Sequence, residues 1–583
     1  MSTTDHREGY VPFPDDAAQE YRSAGYWTGR TLGDLLRDTA RTQPERPAVL
    51  SETVQTYAEL DAAADRMAHG LLALGINPGD RVIVQLPNIP EFATVLFGVL
   101  RAGIIPVLTL PAHRRAEIEH LAALSDAVAY LIPDRLGDFD YRELAAVVRQ
   151  AVPNLRHVLV AGDPGTAPPN LHHVPVVDEP GTEVQQAAPH LHRVAAAGAV
   201  SAAPATLTVD GDPSHFLALD SIARDGDSLP TIDPADIAVM LVSGGTTGLP
   251  KLIARTHDDY VYNATASAQV CELTADDVYL TTLPAAHNFP LACPGILGTV
   301  ATGGAIAFTL DPSPEAAFAA IEKHRVTVTG VVPPLAQLWS AAVDWEDADL
   351  GSLRLLQVGG ARLAEVNARD VEPALSCTLQ QVFGMAEGLL NYTRLDDDKE
   401  LVCTTQGRPL SPADELRIVD ADGNDVAQGE EGELLTRGPY TLRGYYRAPE
   451  HNARAFTPDG FYRSGDLVRQ LPSGHLIVSG RIKDVINRGG ENISCDELEE
   501  HLLAYPTVRH AAAVGIPDAS LGEKACVVLV VTGELPTLGE IKTFLTERGL
   551  ATYKLPDLVR QADSLPITAV GKIDKKALRA LHG

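Results

Sequence analysis

Residues 243–251, Ser-Gly-Gly-Thr-Thr-Gly-Leu-Pro-Lys, lie between the apolar run Ile237-Ala-Val-Met-Leu-Val242 and a shorter one, Leu252-Ile-Ala254. A loop of glycines and hydroxyl residues between two strands can wrap phosphate oxygens with backbone N–H groups and Ser or Thr donors. It is not a P-loop, which needs Gly-Lys-Ser/Thr at the head of a helix. Here Leu249-Pro250 separate Gly248 from Lys251, and Leu252 follows the lysine. Taken alone the segment also reads as a flexible Gly/Thr turn between strands, so the surrounding chain decides how it is read.

Outward from this loop, short apolar segments alternate with helical periodicity: Asp80-Arg-Val-Ile-Val-Gln-Leu, Ile105-Pro-Val-Leu-Thr-Leu, Ala129-Tyr-Leu-Ile and His157-Val-Leu-Val-Ala. That alternation predicts parallel-type sheets covered by helices, an α/β architecture. Residues 179–230, rich in Ala, Pro, Gly and His, are expected to form a long surface insertion. After Gly480 the pattern restarts as a compact α+β unit, with Glu497-Leu-Glu-Glu-His-Leu-Leu as helix and Ala525-Cys-Val-Val-Leu-Val-Val as strand. The expected organisation is a large domain over 1–482 and a small C-terminal domain over 483–583.

The chain has 583 residues, enough for about three or four domain-sized units. With 77 acidic against 47 basic residues and a formal net charge of -30, its surface repels a phosphate backbone, and no nucleic-acid partner is expected. The six cysteines (Cys271, Cys293, Cys377, Cys403, Cys495, Cys526) have no zinc-ligand spacing and read as reduced thiols in a cytoplasm. No signal core and no window near the roughly 20 apolar residues of a membrane span is present, so no membrane association is expected.

Six motifs then fall in order: Ser243 to Lys251, Gln381-Val-Phe-Gly-Met-Ala-Glu387, Gly432-Glu433, Tyr462-Arg-Ser-Gly-Asp466, Gly480-Arg-Ile-Lys-Asp484 and Gly571-Lys572. As an ordered set, from about residue 30 to the end, they resemble the adenylate-forming superfamily of acyl-CoA synthetases, peptide-synthetase adenylation domains and luciferases. The resemblance implies that the loop (Ser243, Gly244, Gly245, Thr246, Thr247, Gly248, Lys251) holds the outer phosphates of ATP while a carboxylate attacks the α-phosphorus. Such a reaction joins two anions, and positive charge is needed where charge builds on phosphorus. By the same resemblance Lys572 supplies it, although the basic run with Lys575 and Lys576 would otherwise read as a solvated tail. Glu387 is expected to hold Mg²⁺, Asp466 the ribose with Arg481 beside it, and Gly359, Gly360 and Ala361 the adenine, with Val382, Phe383 and Gly384 completing the nucleotide side. Lys483 falls at the family's hinge, where the small domain is expected to swing between an adenylating and a thioester-forming pose.

The string Leu283-Pro-Ala-Ala-His-Asn-Phe-Pro-Leu-Ala-Cys-Pro-Gly295 is similar to the branch that activates salicylate or 2,3-dihydroxybenzoate for siderophores. That resemblance implies His287 at the reacting carboxylate, Asn288 on the ortho hydroxyl, and Phe289, Gly360 and Met385 around the ring. It also implies Cys293 at the ring's 3-position, usually serine in relatives whose acid carries a 3-hydroxyl and cysteine where the acid is salicylate. A thiol behaves there as a small hydrophobe, whereas a serine hydroxyl beside a bare ring edge would be unpaired. Salicylate is thus favoured over 2,3-dihydroxybenzoate. The expected acceptor is the phosphopantetheine thiol of a separate aryl carrier protein, with coenzyme A as the alternative, since no carrier serine motif follows Lys572.

Overall fold

The computed structural model describes residues 7–164, 216–243, 250–488, 491–518, 521–548, 550, 554–568 and 571–582. Among these, nine strands form one sheet whose central members, Thr378–Met385, Leu355–Gly359, Val328–Val331, Val278–Thr281, Ala305–Phe308 and Pro47–Leu50, run parallel. Antiparallel strands close both edges. A second sheet of seven strands places Ile105–Leu108, Arg81–Val84, Ala129–Pro133 and His157–Ala161 in parallel, with the antiparallel pair Ile237–Val242 and Leu252–Thr256 at one edge. The central strands are buried along their lengths, as near-continuous apolar runs covered on both faces must be.

Helix starts follow from local chemistry. Thr56 and Glu59 form a reciprocal capping box at the start of helix Tyr57–Ala73, and Thr256 and Asp259 do the same for helix His257–Val270. Such caps satisfy backbone N–H groups that have no partner inside the helix.

The sequence periodicity anticipates parallel sheets covered by helices, and the strands it names near residues 81, 105, 129 and 157 all fall in the seven-stranded sheet. It does not separate out a four-stranded antiparallel sheet built from Glu415–Val419, Gly432–Arg437, Tyr462–Gln470 and Leu476–Arg481. Within the expected 179–230 insertion, the structure describes only the end, from Phe216. There Leu217–Ala218 pairs in parallel with His157–Ala161, so this end belongs to the seven-stranded sheet and is not a surface excursion. All six cysteines are buried and none is in a disulfide.

The C-terminal part forms its own sheet: hairpin Val485–Arg488 and Glu491–Ser494, long strands Val508–Asp518 and Gly522–Val531, and Leu558–Gln561 alongside. Its apolar core includes Ile493, Leu498, Ala513, Val527 and Leu545. Lys483 sits in a single 3₁₀ turn, Ile482–Asp484, between this unit and the antiparallel sheet. No helix among the described residues is long and apolar enough to cross a membrane.

Candidate active site

The C-terminal ends of parallel strands open into crevices, the usual ligand position in such sheets. At the ends of Val328–Val331 and Leu355–Gly359 stand Gly330 and Gly359, and the ring of Phe289 lies against both. A Cβ at Gly330 would fall 3.2 Å from Phe289 Cζ, and one at Gly359 would fall 3.1 Å from Phe289 Cε1 and 2.9 Å from the Val382 carbonyl oxygen. Phe289, Cys293, Val382, Leu355 and Tyr392 share one buried cluster.

Asn288 opens the five-residue helix Asn288–Ala292, which His287 caps by accepting the Phe289 N–H on Nδ1 at 3.2 Å. That bond leaves Nε2 as the protonated nitrogen of the neutral ring. Burial, with the charge of Lys572 nearby, pushes His287 down to about 4, so it is neutral at physiological pH. The Asn288 amide is 6 % exposed: Oδ1 accepts from the Tyr260 hydroxyl at 2.7 Å, and Nδ2 points to Cys293 Sγ at 3.4 Å. The thiol in turn donates to the Asn288 backbone carbonyl at 3.4 Å. A serine at 293 would therefore find partners on Asn288, and the unpaired hydroxyl expected from sequence does not arise.

At the glycine-rich loop, the Ser243 N–H donates to the Lys251 carbonyl at 2.9 Å and the Lys251 N–H to Ser243 Oγ at 3.0 Å, closing its base. Gly244, Gly245, Thr246, Thr247 and Gly248 lie outside the described residues. Lys251 Nζ stands 5.8 Å from the centre of the Tyr445 ring, and the Tyr445 hydroxyl donates to Glu387 Oε1 at 2.7 Å. The lysine and the carboxylate thus meet across one aromatic side chain. Arg255, fully buried and paired with Asp259 at 2.8 Å, holds this corner by donating to the carbonyls of Ala386 (2.9 Å) and Tyr440 (3.0 Å).

The antiparallel sheet brings Asp466 and Arg481 together as register partners on adjacent strands. Arg481 Nε donates to Asp466 Oδ1 at 2.7 Å, while Oδ2 is buried and has no partner among the described residues. Burial raises the Asp466 pKa against the opposing pull of Arg481. A buried carboxyl oxygen without a donor is what a ribose hydroxyl would satisfy, so the site fits a nucleotide.

Lys572 reaches this point from the C-terminal unit. It follows Gly571 (φ +76°), and its backbone N–H donates to Thr568 Oγ1 at 3.2 Å. A Cβ on Gly360, itself at φ +84°, would touch Lys572 Cε at 3.5 Å. The side chain keeps some accessible surface but is enclosed by protein on most sides. Desolvation first, and then Arg481, lower its pKa to about 8 against the pull of Asp466 and Glu387. The units are also joined by Arg362, which pairs with Glu500 at 2.9 Å, and by the Ser494 hydroxyl, which donates to the Ser479 carbonyl.

The structure therefore brings His287, Gly360, Glu387, Asp466, Arg481 and Lys572 around one space, with Asn288, Phe289 and Cys293 beneath it. Ala361, Phe383, Gly384 and Met385 sit on the adjoining strand ends and loop, Phe383 and Met385 partly exposed, Ala361 and Gly384 exposed. Sequence reasoning missed Tyr260, Arg255 and Tyr445. Tyr260, Asn263 and Ser267 recur at helical spacing on a fully buried face, a run of polar groups in an apolar setting that is a legible signal of a lined pocket.

The model of the AMP-binding enzyme family matches residues 36–446, and that of the AMP-binding enzyme C-terminal domain matches 497–572. The chain is 52% identical to the salicyl-AMP ligase / salicyl-S-ArCP synthetase of Mycobacterium tuberculosis, over 98% of this chain and 94% of that protein. It is 47% identical to the 2,3-dihydroxybenzoate-AMP ligase of Bacillus subtilis, over 98% and 97%. The apo structure of Mycobacterium smegmatis MbtA aligns over 99% of this chain and 100% of its own, at 52% identity and a TM-score of 0.72.

Proposed function

The chain belongs to the AMP-binding enzyme family, and on that premise we infer that it is an ATP-dependent ligase that adenylates an aryl acid. The observation that carries this reading is the enclosure of Lys572 among His287, Gly360, Glu387, Asp466 and Arg481, where an acid pocket and a nucleotide pocket meet. The carboxylate of the acid attacks the α-phosphorus of ATP, forming aryl-AMP and releasing pyrophosphate. Lys572, as ammonium, lies where the carboxylate and the α-phosphate approach each other, and offsets the charge that builds between them. Neutral His287 offers Nε2–H to the carboxylate without competing for a proton. Glu387 is the carboxylate that would hold Mg²⁺, with the remaining ligands coming from phosphate and water; the metal when bound neutralises charge on the leaving pyrophosphate.

The acid we propose is salicylate or a close ortho-substituted benzoate, with 2,3-dihydroxybenzoate as the alternative. The aryl group then passes to a thiol, proposed to be the phosphopantetheine arm of a separate carrier protein. The six buried free thiols are consistent with a cytoplasmic setting. ATP–pyrophosphate exchange across a panel of substituted benzoates tests the reading. Failure of salicylate and 2,3-dihydroxybenzoate to support exchange overturns it, and consumption of free coenzyme A in place of a holo carrier protein reassigns the acceptor.

Transfer requires Lys572 to leave and admit the arm, which we assign to movement about Lys483. Lys483→Pro fixes φ in the Ile482–Asp484 turn. Adenylation is expected to continue while thioester formation falls by about tenfold or more, the scale of a disturbed conformational step. Equal loss in both half-reactions, with an unchanged circular dichroism spectrum, moves the hinge elsewhere.

The bonds around Cys293 set the outcome for Cys293→Ser. A serine hydroxyl held by the Asn288 carbonyl keeps a lone pair for a 3-hydroxyl and loses little with salicylate. One added hydrogen bond contributes about 0.5–1.5 kcal/mol, so kcat/KM for 2,3-dihydroxybenzoate should gain roughly two- to twelvefold relative to salicylate. An unmoved ratio means that position 293 does not read the ring's 3-position.

A further inference from the structure

We propose that Tyr260 is a positioning residue that locks the Asn288 amide with its N–H toward the ortho substituent of the bound acid. The site would then select ortho groups that accept a hydrogen bond and reject those that only donate. The inference rests on the benzoate reading above and deepens it.

Two partners of Asn288 agree on the orientation of its amide. The Tyr260 hydroxyl donates to Oδ1 at 2.7 Å. The Cys293 thiol spends its proton on the Asn288 backbone carbonyl, so its sulfur presents a lone pair and faces Nδ2 at 3.4 Å. One N–H of the amide is left without an acceptor among the described residues. Tyr260 has little freedom to change this arrangement. It is fully buried on helix His257–Val270, and the Arg255 guanidinium stacks 4.7 Å from its ring centre. Arg255 is itself tied to Asp259, Ala386 and Tyr440. Burial raises the Tyr260 pKa, which keeps the phenol a donor.

The chemistry of the acids then separates them. The hydroxyl proton of salicylate bonds its own carboxylate, leaving the phenolic oxygen free to accept from Asn288. An ortho amine has its lone pair delocalised into the ring and turns an N–H outward, so donor would meet donor. A site whose buried polar group is left unpaired discriminates strongly.

The test measures kcat/KM in pyrophosphate exchange with salicylate, anthranilate and unsubstituted benzoate. Wild type is expected to prefer salicylate over anthranilate on the order of 10- to 100-fold. In Tyr260→Phe the amide can turn over, and the ratio should shrink to within about threefold while benzoate, which makes no ortho contact, is nearly unaffected. Cys293→Ala, which leaves the tyrosine bond intact, should keep the preference; it decides the matter even if Tyr260→Phe does not fold. Four results overturn the inference: a wild type indifferent to the two acids, an unchanged ratio in Tyr260→Phe, an equal loss with all three acids in that variant, or a collapse of preference in Cys293→Ala. A wild type that exchanges with none of the three removes the benzoate reading itself, and this inference with it.

Discussion

Lys572→Ala is expected to reduce adenylation, read as pyrophosphate exchange, by roughly two to three powers of ten, the scale of losing one preorganised charge at a transition state. ATP binding should persist, because Asp466, Arg481 and Lys251 stay in place. The depressed pKa of about 8 adds a pH signature. A lysine acts here only as ammonium, which is the form present below its pKa. In the free enzyme kcat/KM for adenylation should therefore hold at lower pH and fall as pH rises through about 8. No opposing limb from His287 is expected near neutrality, since its pKa of about 4 leaves it neutral throughout. Bound anions favour the ammonium, so the limb should weaken or move up in kcat. Lys572→Arg, charged at every accessible pH, should abolish the limb whatever its overall rate. A limb that survives in the arginine variant belongs to another group. Transfer from presynthesised aryl adenylate should be much less affected by Lys572→Ala, and an equal loss there would argue against a moving domain.

What could be read from the sequence follows from the range of each interaction. The seven-stranded sheet announces itself because strands buried on both faces must be continuous apolar runs, as in Ile237–Val242 and Ala129–Pro133. Lys572 was legible only through its Gly-Lys motif. Nothing local distinguishes it from Lys576, which is exposed, and its role comes from Gly360 and Asp466, more than a hundred positions away. The antiparallel sheet of residues 415–481 escaped because its strands are only half buried and carry charged residues such as Arg463, Asp466 and Arg481. The partners of Cys293 could not be foreseen. Spacing places it five residues from Asn288 but does not say that a cap, a thiol and an amide close on one another within that turn. Leu217–Ala218 was misassigned to an insertion because a two-residue strand carries no period.

Asp466 carries the second large effect. Its Oδ1 already accepts from Arg481, and its buried Oδ2 has no partner among the described residues. Two ribose hydroxyls could therefore donate to this carboxylate, one to Oδ2 and one to the remaining lone pair of Oδ1. Hydrogen bonds to a charged group contribute about 1.5–3 kcal/mol each, and since the two share one acceptor group a combined loss of about 2–4 kcal/mol is reasonable. The Arg481 side chain is 44% exposed, so water can screen it once its partner is gone, and its stranded charge adds little. Asp466→Ala should thus lower kcat/KM for ATP by roughly 30- to 1000-fold, mainly through KM, with little change in KM for the acid. A second nucleotide separates this contact from general damage. With 2′,3′-dideoxy-ATP the wild type should lose about as much as the variant does with ATP, because the same bonds are missing from the other side. Combining variant and dideoxy nucleotide should then cost little more than either alone. Losses that multiply in the combination would mean that Asp466 does not hold the ribose, and that the unpaired Oδ2 serves some other donor.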